Sequence, residues 1–173
     1  MRGTITIDGK KVEMEANAAT PVFYRRRFHS DFLIEMQKLA EDLKLTGEIK
    51  NLEPIENLAY LMAWQADPDN TPGAIEEWLA GFDPLSIYLA SPEIFRFWNL
   101  SAGKTAELKK KAEREIDRPL TVGLYLLRCK ELNLSIEDLE KVDYGMILDM
   151  LIEKANDSFE YDYLANEDDY KNF

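Results

Sequence analysis

The 173-residue chain has one cysteine, Cys129, and one histidine, His29. A lone thiol excludes an intrachain disulfide and fits a reducing cytoplasm. With one imidazole and one thiol, a zinc site would have to draw on scattered carboxylates. No motif around either residue marks a Cys-His nucleophilic pair. Cys129 follows the apolar run Leu124 to Leu127, which predicts a small buried hydrophobe rather than a reactive group.

Long apolar runs are also missing. None approaches the roughly 20 residues that cross a bilayer, and Met1 to Gly9 has a strand pattern instead of a basic region followed by an apolar one. Neither secretion nor a membrane anchor is expected. Positive charge is scarce: 21 Lys and Arg stand against 33 Asp and Glu, a formal net charge of -12. A phosphate backbone would meet repulsion, so nucleic acid is not an expected partner. The only dense basic patch, Arg25-Arg26-Arg27, reads as a solvated helix face with incidental ion pairs. Its functional alternative is a contact for an acidic partner or for the chain's own acidic C-terminus.

Apolar residues, by contrast, are plentiful. At 46% hydrophobic and 11% aromatic the chain can build a packed core. Thr4 to Ile7 alternates, Asp8-Gly9 is a hairpin turn signal, and Val12 to Met14 resumes the alternation. Thr20-Pro21 has the form of an N-cap followed by proline at the first helical position. Ser30 or Asp31 can cap a helix carrying Phe32, Leu33, Met36, Leu39, Ala40 and Leu43, with Gly47 near its end. Ile55, Leu58, Ala59, Met62, Ala63 and Ala66 share one helix face, which Asp67-Pro68-Asp69-Asn70 terminates. Further helix starts are expected at Thr71-Pro72, Asp83-Pro84 (carrying Leu85, Ile87, Tyr88 and Leu89) and Ser91-Pro92, the last with Ile94, Phe95, Phe97, Trp98 and Leu100. Composition breaks at Ser101-Ala102-Gly103, and Lys104 to Arg118 is charged but rich in helix-propagating residues. Pro119 opens a helix holding Leu120 to Cys129, Ser135 and Asp138 form a capping box, and Asp143 caps a last helix with Met146, Ile147, Met150 and Leu151. The acidic end interleaves Phe159, Tyr161, Tyr163 and Leu164, aromatics that a purely solvating tail would lack.

The expected fold is mainly α with a small N-terminal β-hairpin, an α+β arrangement of two helical parts. Its divisions are an N-terminal domain over 1–104, a Lys-rich, helix-compatible linker over 105–117, and a helical extension with an acidic tail over 118–173. Two apparent motifs fail on spacing. Gly103-Lys104-Thr105 lacks the glycine of a phosphate-binding loop, since Trp98 stands there. Asp67, Asp69 and Thr71 have calcium-loop spacing, yet Pro72 takes the glycine place and Trp78 the glutamate place. No catalytic residue, cofactor or metal is assigned, and an enzyme is not expected.

The strings Ile75-Glu76-Glu77-Trp78-Leu79-Ala80-Gly81-Phe82-Asp83, Pro92-Glu93-Ile94 and Phe97-Trp98, ahead of a Lys-rich stretch, resemble the closing part of the shorter tail assembly chaperone of long-tailed phages of Gram-positive hosts. Arg118-Pro119-Leu120-Thr121-Val122, Arg128-Cys129-Lys130-Glu131-Leu132, Gly145-Met146 with Asp149-Met150, Glu153 to Asp157 and the ending Asp168 to Phe173 resemble the C-terminal extension of the longer form. The likeness is weak over 1–70, moderate over 71–104 and best over 118–173. It implies that a programmed ribosomal frameshift joins the two parts, and the codons of Lys109-Lys110-Lys111 can form the A-rich run such frameshifts use.

The resemblance also implies a role in the host cytoplasm and absence from the mature virion. The family binds and solubilises the tape measure protein and recruits major tail tube protein subunits. Apolar stripes offered in many copies, with like charge keeping the complex soluble, suit that task. On this reading Phe95, Phe97, Trp98 and Leu100 coat the tape measure or mediate self-association. Met146, Ile147, Met150 and Leu151, with Tyr161, Tyr163, Tyr170 and Phe173, recruit tube protein, methionine being adaptable to irregular surfaces. Core packing is the plain alternative for both stripes. An acidic adaptor or inhibitor that mimics nucleic acid is the other class the composition allows, with salt-sensitive binding to a nuclease or polymerase as its mark.

Overall fold

The structure, a computed structural model, describes residues 1–100 and 118–157, with the side chains of 99 and 100 excepted. Among these residues the chain is mainly helical with an N-terminal two-stranded antiparallel hairpin, the α+β arrangement expected from the sequence. The linker at 105–117 lies outside the described residues, as do Gly103-Lys104-Thr105.

Strands β1 (Arg2–Ile7) and β2 (Lys10–Glu15) pair with Ile5 opposite Val12 and Ile7 opposite Lys10. Asp8 and Gly9 both take positive φ, 52° and 70°, as a two-residue turn matched to strand twist requires. The alternation buries Ile5, Ile7 and Met14 and leaves Thr4, Thr6 and Glu13 in water. Gly3 is where the hairpin meets the helices: a Cβ there would lie 3.0 Å from Cε2 of Phe97, so the ring occupies the space a side chain would need.

Helix α1 (Thr20–Phe28) carries Pro21 in its first turn, but Ala19, not Thr20, is the N-cap. The Thr20 hydroxyl is engaged elsewhere, accepting from the Asn17 N–H and donating to Gln65, both at 3.0 Å. Helix α2 (Phe32–Thr46) is capped by Asp31 and ends at Gly47. Its predicted stripe is covered only in the first half. Phe32 and Leu33 are buried, Met36 and Leu39 are half-buried, and Ala40 and Leu43 are exposed. Helix α3 (Glu53–Ala66) buries all six predicted positions, and also Asn57, Tyr60 and Leu61, because β2 and helices on several sides pack around it.

Helix α4 (Ile75–Leu79) begins later than Thr71-Pro72 suggests. Thr71 instead closes the end of α3, its hydroxyl donating to the Ala63 carbonyl at 3.3 Å and its N–H to that of Asp67 at 3.0 Å. The Asp67 carboxylate accepts from the backbone and side-chain amides of Asn70, so the calcium-loop spacing marks a turn. A larger correction concerns α5 (Ser86–Leu100), one helix where two are expected. Ser91-Pro92 does not restart it: Pro92 lies inside, on the exposed side, where water can satisfy the carbonyl that lacks a proline N–H partner.

Helix α6 (Val122–Glu131) starts after Thr121, whose hydroxyl accepts from the Leu124 N–H at 3.0 Å, leaving Pro119 outside. The Ser135–Asp138 capping box opens α7 (Ile136–Leu139) as predicted. Asp143 is the N-cap of α8 (Tyr144–Asn156) but makes no side-chain cap bond. Its carboxylate pairs with the Met1 amino group at 3.0 Å.

One buried cluster includes side chains from both sides of the linker. The Trp98 ring lies 5.0 Å from Phe32 and 5.1 Å from Tyr144, which in turn lies 5.3 Å from Tyr125. The Tyr125 hydroxyl donates to the Ala18 carbonyl at 2.9 Å, and the Ala18 N–H donates to the Val142 carbonyl at 2.8 Å. The Val122 N–H donates to both carboxylate oxygens of Asp31, at 3.0 and 3.1 Å.

Candidate partner-binding site

The sequence places two apolar stripes as binding candidates, and helical geometry separates their members. On α8 adjacent residues project about 100° apart. Ile147 is fully buried, Leu151 is half-buried, and Met146 and Met150 are 53% and 38% exposed. The stripe therefore splits into an inner pair that packs and an outer methionine pair that faces water. On α5 the inner residues Ile87, Ala90, Ile94, Phe97 and Trp98 recur at three- and four-residue steps and are buried. Phe97 and Trp98 are thus core residues, enclosed by the hairpin on one side and by Phe32 and Tyr144 on the other. Phe95 is half-buried. The Leu100 side chain and Tyr161, Tyr163, Tyr170 and Phe173 lie outside the described residues.

The outer side of α5 is a further exposed apolar surface that the sequence pattern does not single out. Leu85, Tyr88 and Leu89 are 61%, 45% and 74% exposed. Their i, i+3, i+4 spacing is visible within the expected Asp83-Pro84 helix, but Ile87 between them is the residue that is buried, and spacing alone does not say which side faces the core.

The arginine run divides. Arg25 pairs with Asp31 at 3.1 Å and Arg26 is exposed. Arg27 lies over the rings of Tyr60 and Trp64, 4.8 and 5.1 Å from their centroids, and donates to the Gly73 carbonyl at 2.6 Å. Arg27 is therefore tied to the aromatic surface of α3. His29 is the exposed left-handed cap of α1, with φ 55°.

Cys129 is buried, and burial raises its thiol pKa. Burial likewise raises Tyr24, with Glu35 accepting its hydroxyl proton as the next cause, and raises Tyr125. Tyr144 is pushed up to about 12, again chiefly by burial. A folded pKa above the unfolded value of about 10 means that the unfolded chain loses the proton first, so stability is full below pH 10 and falls as pH rises towards 12. Tyrosinate absorbance should therefore show Tyr24, Tyr125 and Tyr144 ionising together with loss of near-ultraviolet dichroism. Smooth ionisation of all eight tyrosines near pH 10 in a still-folded protein would contradict this burial.

Among the described residues no group of three His, Cys, Asp or Glu side chains could hold a metal, and no helix is long and apolar enough to cross a membrane. The chain matches no protein-family model, no curated protein and no solved structure.

Proposed function

We propose that this protein is a non-catalytic tail assembly chaperone of the long-tailed phage type, acting in the cytoplasm of the bacterial host and absent from the finished virion. It binds and solubilises the tape measure protein and brings tail tube subunits to it. The observation that carries the structural side of this reading is the outer methionine pair of α8, Met146 and Met150, exposed on a chain of net charge -12. Flexible thioethers suit a client surface that must be held and later released, and like charge keeps a multiply coated client dissolved. The family side rests on the strings at 75–83, 92–98 and 118–173.

The intact chain is the reagent for the test, because the parts on either side of the linker share buried contacts and are unsuited to separate pull-downs. With Met146→Glu and Met150→Glu together, tube protein capture should fall at least tenfold. Tape measure capture should persist and the melting temperature should shift by no more than a few degrees, since both side chains are exposed. Unchanged tube capture would remove α8 from the mechanism. Failure of the unaltered protein to bind either client would remove the chaperone assignment.

A further inference from the structure

Helix α5 is amphipathic twice over. Its inner side supplies the core. On its outer side Tyr88, Leu89 and Pro92 are exposed, and exposed Leu85, in the turn just before the helix, extends them to the spacing i, i+3, i+4 and i+7. Leu89 at 74% exposure and Leu85 at 61% hold apolar surface in water that contact with an apolar partner would remove. Apolar side chains exposed at this spacing on one side of a helix form a surface suited to an apolar partner.

The ridge has a charged border. Beside Leu89 a cavity of about 380 Å3 opens between the hairpin turn and α5, bounded by the carboxylates of Asp8, Asp83 and Glu93. The Asp8 carboxylate accepts from the Asp83 N–H at 3.2 Å, and that of Asp83 accepts from the Leu85 N–H at 3.0 Å. Two cations stand on the hairpin side of this border: Lys10 donates to the Gly81 carbonyl and lies over the Phe82 ring at 5.4 Å, and exposed Lys11 pairs across the hairpin with Thr6. Arg96, exposed one turn beyond Pro92, is the positive group at the far end.

We propose that the outer ridge of α5, centred on Leu89, docks an amphipathic partner helix whose apolar stripe is flanked by Lys or Arg, which pair with Glu93 and the Asp8–Asp83 border. The i, i+3, i+4, i+7 ridge is the shape that fits the groove of another helix, and the carboxylates select the sign of its flank. A second copy of this chain is the poorer occupant. Two copies would each bring a net charge of -12 to the contact, a long-range repulsion that a basic-flanked helix does not meet. The proposal holds for any client of this chemistry and does not require the tape measure protein.

Three synthetic helices test it against the intact protein: Leu at the four stripe positions with Lys flanks, the same stripe with Glu flanks, and Lys flanks with Ala in place of Leu. Only the first should bind by fluorescence anisotropy in moderate salt. Its affinity should fall at least tenfold with Leu89→Glu and about tenfold with Glu93→Lys, while Glu93→Lys should admit the Glu-flanked helix. Both substituted side chains are exposed, and unchanged melting confirms that each variant folds. Amide shifts should map to 85–93. Four results would overturn the proposal: no binding of the first helix, equal binding of the Lys- and Glu-flanked helices, variants that bind like the unaltered protein, or a dimer in sedimentation that Leu89→Glu dissolves.

Discussion

A chain cut after residue 117 should fail to give a monodisperse folded monomer, aggregating or melting far below the intact protein. The cut removes Val122, Tyr125, Cys129, Leu139, Tyr144 and Ile147 from the core, each at most 6% exposed. At about 1.5–3 kcal/mol per large buried side chain, the loss is on the order of 10 kcal/mol, comparable to the whole stability of a domain this size. It also strips Tyr144 from Trp98 and leaves the Ala18 carbonyl without the Tyr125 hydroxyl. Light scattering and thermal denaturation of the truncated and intact chains measure this directly. A truncated monomer with the intact melting temperature would mean that the two parts are independent.

The second large effect is expected from Asp31→Ala. This carboxylate, 19% exposed, serves two helix starts at once. It accepts from Ile34 at 3.4 Å as the cap of α2 and from Val122 at 3.0 and 3.1 Å at the start of α6, and it pairs with Arg25 at 3.1 Å. Loss of the cap costs roughly 0.5–2 kcal/mol, and a part-buried N–H left without its acceptor about 1–3. A total of roughly 2–4 kcal/mol should lower the melting temperature by about 5–15 °C. Asp31→Asn retains an acceptor and should recover about half of that. A melting curve unmoved by Asp31→Ala would show that Asp31 does not hold α6 to α2.

Much of the local structure was legible from neighbouring residues. Asp8-Gly9 fixed the turn because its positive φ values suit those two residues. Ser135 with Asp138 fixed a helix start because both bonds of the capping box form within four residues. Gly47 fixed the end of α2 by taking φ 72°. Prolines misled, for a physical reason. Pro92 has the form of a helix start, yet its effect depends on which way its ring faces, and on α5 it faces water. Pro119 likewise gave way to Thr121, whose hydroxyl was free to cap.

The candidate site was legible only as a set of apolar residues, because a sequence stripe says that a face is buried without saying against what. Met146 and Ile147 are neighbours on one predicted stripe, and the fold sends one to water and the other to the core. Phe97 and Trp98 were candidates for a partner and became the joint between the hairpin, α2 and α8. The composition break after Leu100 is real, but buried contacts link residues on its two sides.

By itself the sequence determined the scarcity of groups for redox or metal chemistry, the acidic charge, the hairpin and the central helix, since these follow from composition and from residues a few positions apart. Only the tertiary structure decided which faces meet. Burial is set by partners far along the chain, such as Val122 and Asp31 at a separation of 91 residues or Tyr125 and Ala18 at 107, and no local preference encodes that pairing. The apolar ridge of α5 is exposed for the same reason: its period is visible in the sequence, but the water on its outer side is a property of the packed fold.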